Sequence, residues 1–456
     1  IESTIFVKNI NYYKCKKFMN AIIHDKSNII HKHSVFASLC ILFILLAMCI
    51  NDLPVQLYGG TLAASPIWIL SVILLIITLL RNNYYLHLDP YSYLFLNFFI
   101  LSFTISFIQC VYYYLAEGVY INNYGVSIIG KLFFASSYYF VFFLVVYCSN
   151  YLLCFVSKKT FINILTGVSF FLFLIMVIEY IDPSLLSVFH LTMDGYGVGA
   201  RLRLLSPEPS IAAFTFNLFI MITLTFSKNI FLRIFYVGLL ILGNLVIGSK
   251  SSLILIVCAG LLVFYLNLSF IQKLKSLILL IPSIVLCGYV TVNTILPALT
   301  IDVEQFSSVS TRLITSIWAL LSLLYYPLGE GYGTYTVWFT SPLESAIDFA
   351  NEFVPFSLNL SEINAMINTG NYLSAKSGIL SSVIYSGFIA VMFFFLLFKK
   401  SFKDISLSNI VYYQKISLRI VLWYTFLSLL LAVNIEVLYV FLLPFIVVNF
   451  VRNFTA

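Results

Sequence analysis

Charge is the scarcest commodity in this sequence. Across 456 residues, Asp, Glu, Lys and Arg together make up only 9%, against roughly 25% in an ordinary soluble domain. A water-solvated globular surface is therefore excluded. Residues that bind metals are sparse or badly spaced. There are five histidines and eight cysteines, and no Cys-x-x-Cys occurs. Cys15 lies in the N-terminal segment and the other cysteines lie in apolar runs, which excludes a disulfide framework and a zinc site. Asp302 and Glu304 form an isolated acid-x-acid pair, too little for a metal, and the remaining acids of that region and His190 read as solvated surface groups. No period of 20–50 residues repeats, so solenoids and propellers are excluded. The run from Gly243 has the outline of a nucleotide-binding P-loop, but Ser249 separates Gly248 from Lys250 and no strand precedes it. The N-terminal segment lacks a small-residue cleavage site after an early apolar core, so a removable signal peptide is not expected.

What is present is apolar and aromatic. Hydrophobic residues reach 61%, with 44 Phe and 31 Tyr, and mean hydropathy is +1.01. Continuous apolar runs of about 20 residues recur from residue 35 onward, and continuity rather than alternation selects helices over a barrel. The expectation is an all-α polytopic membrane protein with about twelve transmembrane helices. They fall near 35–51, 62–80, 91–115, 131–156, 161–181, 208–227, 230–247, 251–269, 275–296, 376–398, 416–433 and 435–451. Residues 1–34 form a Lys-rich cytoplasmic segment, and 35–456 a single transmembrane domain. The net charge of +7 reflects basic residues in alternate turns, as the positive-inside rule requires, and not a nucleic-acid partner. Both termini are then cytoplasmic. Two external segments, about 182–207 and 297–375, are far longer than connectors need to be.

Six basic residues fall on the external side, where the same rule disfavours them: Lys131, Arg201, Arg203, Lys250, Arg312 and Lys376. Arg201 and Arg203 precede Pro207-Glu208-Pro209-Ser210, whose second proline and serine suit the first turn of a helix entering from outside. Arginines at a helix N-terminus favour an anion; an interfacial Arg–Glu pair is the alternative. Lys250 stands among small hydroxylated residues in a tight external turn, able to reach a phosphate or simply to snorkel. Arg312 follows Ser307, Ser308, Ser310 and Thr311, a run of N-cap candidates, and is expected in the first turn of a short interfacial or re-entrant helix. The stretch Tyr325-Tyr326-Pro327-Leu328-Gly329-Glu330-Gly331-Tyr332-Gly333 reads as a flexible turn, with Tyr332 and the nearby Tyr335 as sugar-stacking rings.

Arg-x-Arg with Glu-Pro-Ser-x-x-Ala, Gly-Ser-Lys-Ser-Ser before an apolar helix, Arg312 ahead of Tyr-Pro-Leu-Gly-x-Gly-Tyr-Gly, and Lys376 opening the helix after a large late loop occur together. In these features the chain resembles the Wzy-type O-antigen and capsule polymerases, relatives of the O-antigen ligases. The resemblance implies a GT-C-like inner-membrane glycosyltransferase without cofactor or metal. It would join repeat units carried on undecaprenyl pyrophosphate at the periplasmic face, with short interfacial helices in the late loop and a chain-length regulating co-polymerase as partner. The sequence departs from the ligase pattern in lacking a clear histidine in the long loop.

On this reading Arg201, Arg203, Lys250, Arg312 and Lys376 hold the pyrophosphate. Arg312 acts on the leaving group, and Glu208 serves either as base for the acceptor hydroxyl or as a brace for the arginines. An O-antigen ligase would use the same donor. A flippase would need polar residues along its mid-helix positions, and the helices from 35 to 181 carry few.

Overall fold

The computed structural model describes residues 27–81, 88–122, 124–191, 201–269, 307–354, 357–370, 373–436 and 438–455. The chain is all-helical there, with one isolated bridge between Ile121 and Ser127 and no strand among the described residues. In chain order the main helices are α1 (Ser27–Cys49), α2 (Ile67–Arg81), α3 (Pro90–Tyr112), α4 (Ile128–Leu153), α5 (Lys158–Ile181), α6 (Pro209–Phe226), α7 (Ile230–Ile247) and α8 (Lys250–Asn267). They continue with α9 (Ser307–Tyr325), α10 (Thr340–Phe353), α11 (Ser361–Thr369), α12 (Gly378–Ser386), α13 (Phe388–Leu407), α14 (Tyr412–Leu431) and α15 (Leu443–Thr455). Among the described residues, seven helices are long and apolar enough to cross a membrane: α3 with its π-helical extension to Glu117, α4, α5, α6, α7, α8 and α14. Shorter apolar helices occupy 34–49, 67–80, 310–325 and 440–453. This is the architecture of a polytopic membrane protein. The expected span at 275–296 lies outside the described residues.

α6 lies at the centre. Nearly every residue from Ile211 to Phe226 is buried, and α5, α7 and α14 pack around it. Lipid gives helices little hydrophobic reason to associate, so polar contacts and close packing matter. The side-chain amide of Asn217 in α6 donates to Asn244 Oδ1 (3.0 Å), Ser252 Oγ (2.7 Å) and Tyr424 OH (3.1 Å), tying α7, α8 and α14 to it. Asn244 Nδ2 returns a bond to Asn217 Oδ1 (2.8 Å). Gly243 lets α7 approach, because a Cβ there would lie 2.4 Å from the Phe216 ring. These contacts bring the start of α6, the end of α7, the start of α8 and the end of α14 to one end of the bundle. At the other end, Arg419 Nη1 reaches Asn267 Oδ1 (2.9 Å) and Thr225 meets Ser417 (2.6 Å).

The single helix expected over 376–398 is two helices, broken at Gly387. Its φ of +53° is left-handed, and a Cβ would lie 2.1 Å from the Pro327 carbonyl oxygen. The break is filled by the Pro327–Gly331 turn. Glu330 N–H donates to Ile384 O (2.7 Å), Gly331 N–H to Tyr385 O (3.1 Å), and Phe388 N–H to Pro327 O (2.8 Å). The turn thus caps the end of α12 and the start of α13 at once, as a broken helix among apolar neighbours requires. Its glycines serve close backbone approach: Gly329 has φ +87°, and a Cβ on it would lie 2.4 Å from Tyr385 O. The element is a buried joint and not a flexible surface turn.

Glu330 is buried in this joint, its Oε1 accepting Trp318 Nε1 (3.2 Å) and Ser322 Oγ, its Oε2 unpartnered. Burial pushes its carboxyl up from 4.5 to about 7, against the opposing hydrogen bonds from Ser322 and Trp318. The folded protein therefore keeps a proton that the unfolded chain releases. Stability is full below about pH 4.5 and falls as pH rises to about 7.

Two outcomes follow from the joint. Glu330→Gln should flatten the pH dependence of thermal unfolding in detergent and add up to about 3 kcal/mol at pH 8. Gly387→Ala should reduce the yield of folded protein, costing more than about 1 kcal/mol. Gly238→Ala, at a helical glycine with open space around it, should be neutral or stabilising by about 0.5–1 kcal/mol, as fluorescence size-exclusion of detergent extracts would measure.

Candidate functional site

The Arg201–Pro209 stretch is pinned from below. Glu179, near the end of α5 and fully buried, accepts the backbone N–H of Arg203 (2.8 Å) and of Leu204 (2.6 Å). Leu204 takes a left-handed φ of +54°, the one non-glycine residue in that region of the map among those described. His190 bridges Asp52 Oδ2 (2.8 Å, from Nδ1) and Leu204 O (2.9 Å, from Nε2), while Asn51 N–H donates to Leu205 O (2.9 Å). His190 and Asp52 are 3% exposed each. That corrects the reading of His190 as a surface residue: its ring holds two loops together.

The candidate cations distribute over this platform and its neighbours. Arg201 lays its stem across Gly248, where a Cβ would lie 2.8 Å from Cγ and Cδ, beside Ser249 and Lys250; Arg201 and Lys250 are both exposed. Arg203 is half-buried and turns back on its own loop, Nη1 to Pro207 O (3.4 Å). Glu208 caps α6 in position but not by a side-chain bond; its Oε2 accepts Ser210 Oγ (3.3 Å).

Arg312 sits in the second turn of α9, since that helix begins at Ser307. The expectation of a first-turn arginine, and the dipole argument attached to it, fails. Instead its Nη1 donates to Ala432 O (2.9 Å) and Leu431 O (3.3 Å), the unsatisfied carbonyls at the end of α14, where a cation is favoured. Burial works against the Arg312 charge, while Glu208 and Glu362 support it. Glu362, at the start of α11, joins the group. Its Oε1 pairs with Lys376 Nζ (2.7 Å) and its Oε2 accepts Thr311 Oγ1 (2.8 Å). Burial raises the Glu362 carboxyl, but Lys376, Thr311 and Arg312 outweigh it and hold the net value below the ordinary range. Glu362 is thus no solvated loop acid.

The structure therefore assembles Glu208, Arg312, Glu362 and Lys376 electrostatically, and sets Arg201 against the turn that carries Lys250. It does not place Tyr332 and Tyr335 with them. Tyr332 is fully buried and Tyr335 3% exposed; their rings pack on Tyr139 and Tyr385, with Tyr335 4.8 Å from Tyr385. As placed, neither offers a free face to a sugar.

A second carboxylate reading emerges four residues beyond the Arg312 contact. The expected helix over 435–451 starts only at Leu443, and Asn434–Glu436 lies in an irregular stretch before it. Glu436 accepts Tyr385 OH (2.5 Å) and lies within electrostatic reach of Lys131, which stands 5.8 Å from the Tyr335 ring centre. Burial pushes the Glu436 carboxyl up although part of its surface stays open. Glu436 was hidden because its flanking residues read as continuous helix; Lys131, one of the six misplaced cations, was the available signal.

Glu179 is the residue on which the Arg201–Pro209 geometry turns. Glu179→Ala strands two buried N–H groups, at about 1–3 kcal/mol each. Hydrogen exchange at the Arg203 and Leu204 amides should accelerate at least about tenfold, with a smaller effect for Glu179→Gln; unchanged exchange would refute the anchoring role.

No known protein-family profile matches the chain. It is similar to a protein of Klebsiella pneumoniae described as an uncharacterized 49.5 kDa protein in a cps region. The two are 27% identical over 235 residues, half of this chain and 53% of that relative. The chain thus aligns with about half the length of the curated relative it matches.

Proposed function

We propose that this protein is a Wzy-type polysaccharide polymerase, a metal-independent, GT-C-like glycosyltransferase of the bacterial inner membrane acting on undecaprenyl-pyrophosphate-linked repeat units at the periplasmic face. The observation that carries the reading is the gathering of Arg312, Lys376, Glu362 and Glu208 at one end of a polytopic helical bundle, next to a rigidly anchored Arg201–Pro209 loop. A relative from a cps region fits a role in capsule synthesis. A chain-length regulating co-polymerase is the expected partner.

In the reaction, the bond between the anomeric carbon and the pyrophosphate oxygen breaks, and its electron pair leaves with the pyrophosphate. The acceptor hydroxyl oxygen bonds to that carbon and its proton passes to a carboxylate. Fixed cations in a water-poor site stabilise the departing charge by several kcal/mol. Arg312 and Lys376 take that part, with Arg201, Arg203 and Lys250 along the pinned loop and its neighbouring turn. Arg312 exchanges its carbonyl contacts for phosphate oxygens, and Lys376 is shared between Glu362 and the ligand. Glu208 accepts the proton; Glu436, whose carboxyl burial pushes up, is the second carboxylate available for it.

The test is complementation of a deletion strain with surface polysaccharide resolved by electrophoresis. Arg312→Ala should abolish the ladder, a loss of about 100-fold or more, with membrane abundance unchanged; Lys376→Met should weaken it. A full ladder from Arg312→Ala would refute the role. Deletion leaving a single repeat unit marks a polymerase, whereas loss of all repeats points to a ligase or flippase. Glu208→Gln and Glu436→Gln compared for kcat decide which carboxylate takes the proton.

A further inference from the structure

At the opposite end of the bundle, α5, α6 and α7 open a cleft of about 620 Å³ that the proposed reaction does not use. Lys158, Lys159 and Lys228 line it, and no carboxylate does. None of the three forms an ion pair among the described residues, although Lys376, Lys400 and Arg452 all do. Apolar walls come from Phe226 and Leu232, and Asn163 lies exposed one turn along α5 from Lys159. The Asn163 side chain makes no hydrogen bond among the described residues, which leaves its amide open to a partner in the cleft. Beyond Thr166, which also lines the cleft, the same face of α5 continues with the exposed apolar side chains of Phe170 (58%) and Leu174 (42%).

Read from the bundle end inward, the face presents three unpaired cations, then a hydrogen-bonding amide, then an acyl-compatible surface. We propose that this cleft binds an anionic phospholipid, its phosphate held by Lys158, Lys159 and Lys228, its glycerol region against Asn163, and one acyl chain along Phe170 and Leu174. Charge complementarity selects the headgroup: basic clefts between membrane helices at the positively charged face attract anionic lipids. Lysines act here as point charges on phosphate, and the apolar continuation distinguishes a lipid from a free anion.

The full chain, purified in detergent, is titrated with phosphatidylglycerol or phosphatidylcholine at equal mole fraction and followed by native mass spectrometry and thermal shift. Phosphatidylglycerol should be retained and should stabilise; phosphatidylcholine should do neither. The triple variant Lys158→Gln, Lys159→Gln, Lys228→Gln should bind phosphatidylglycerol at least about fivefold more weakly, and Lys403→Gln should match wild type. Should the triple variant not fold, the single variants Lys158→Gln and Lys228→Gln each carry the test by a partial loss. Equal retention of both lipids, undiminished binding in the lysine variants, or complete displacement by inorganic phosphate would overturn the proposal.

Discussion

The backbone of a membrane protein cannot leave its polar groups unpaired, and at Gly387 this protein breaks a helix among buried residues. The break is possible because a second chain segment supplies the missing partners. Ile384 and Tyr385 carbonyls receive the N–H groups of Glu330 and Gly331, and Pro327 returns a carbonyl to Phe388. Each unsatisfied group in such surroundings would cost several kcal/mol, so the two segments are conditionally stable: neither holds its shape without the other. α9, which leads into the turn, is thereby fixed against α12, and with it the position of Arg312. The geometry of the candidate site rests on this exchange.

The same logic governs the arginine loop. A left-handed Leu204 and a run of non-helical backbone beside the central α6 require hydrogen-bond partners; Glu179 in α5 accepts the N–H groups of Arg203 and Leu204, and His190 in the segment after it donates to Leu204 O. The buried acids thus divide by task. Glu179 holds backbone. Glu362 holds cations, and its carboxyl is kept low by them. Glu330 and Glu436 have burial as their dominant influence and are pushed up. A carboxylate's surroundings, more than its place in sequence, separate brace from proton acceptor.

Much of the fold was legible because hydrophobic continuity is a local property. Helices lie where the apolar runs are, from α1 to α8 and again at α14. The candidate cations could be picked out because loop charge asymmetry is read along the chain; in the fold Lys376 pairs with Glu362, and the charge of Glu362 also supports Arg312. What escaped was tertiary. Gly387 is an ordinary residue in an apolar run until Pro327 approaches it. Tyr332 and Tyr335 look like loop aromatics, yet the joint draws them into the core. Glu436 sits in a stretch as apolar as its neighbours, and only the path of the backbone shows that the helix has not yet begun.

The cations at the candidate site are already engaged, and this bears on what can displace their partners. Arg312 is held by carbonyl dipoles at the end of α14, and Lys376 by one carboxylate that Thr311 also steadies. A neutral sugar gains nothing by competing with them. A monovalent anion must overcome the Glu362 charge at close range, in surroundings where that repulsion is poorly screened. Under the proposed function a multiply charged pyrophosphate would recover the cost by engaging more than one of the candidate cations. On that reading the resting contacts would act as a filter: they hold the cations when no ligand is bound, and they would favour a ligand carrying more than one negative charge.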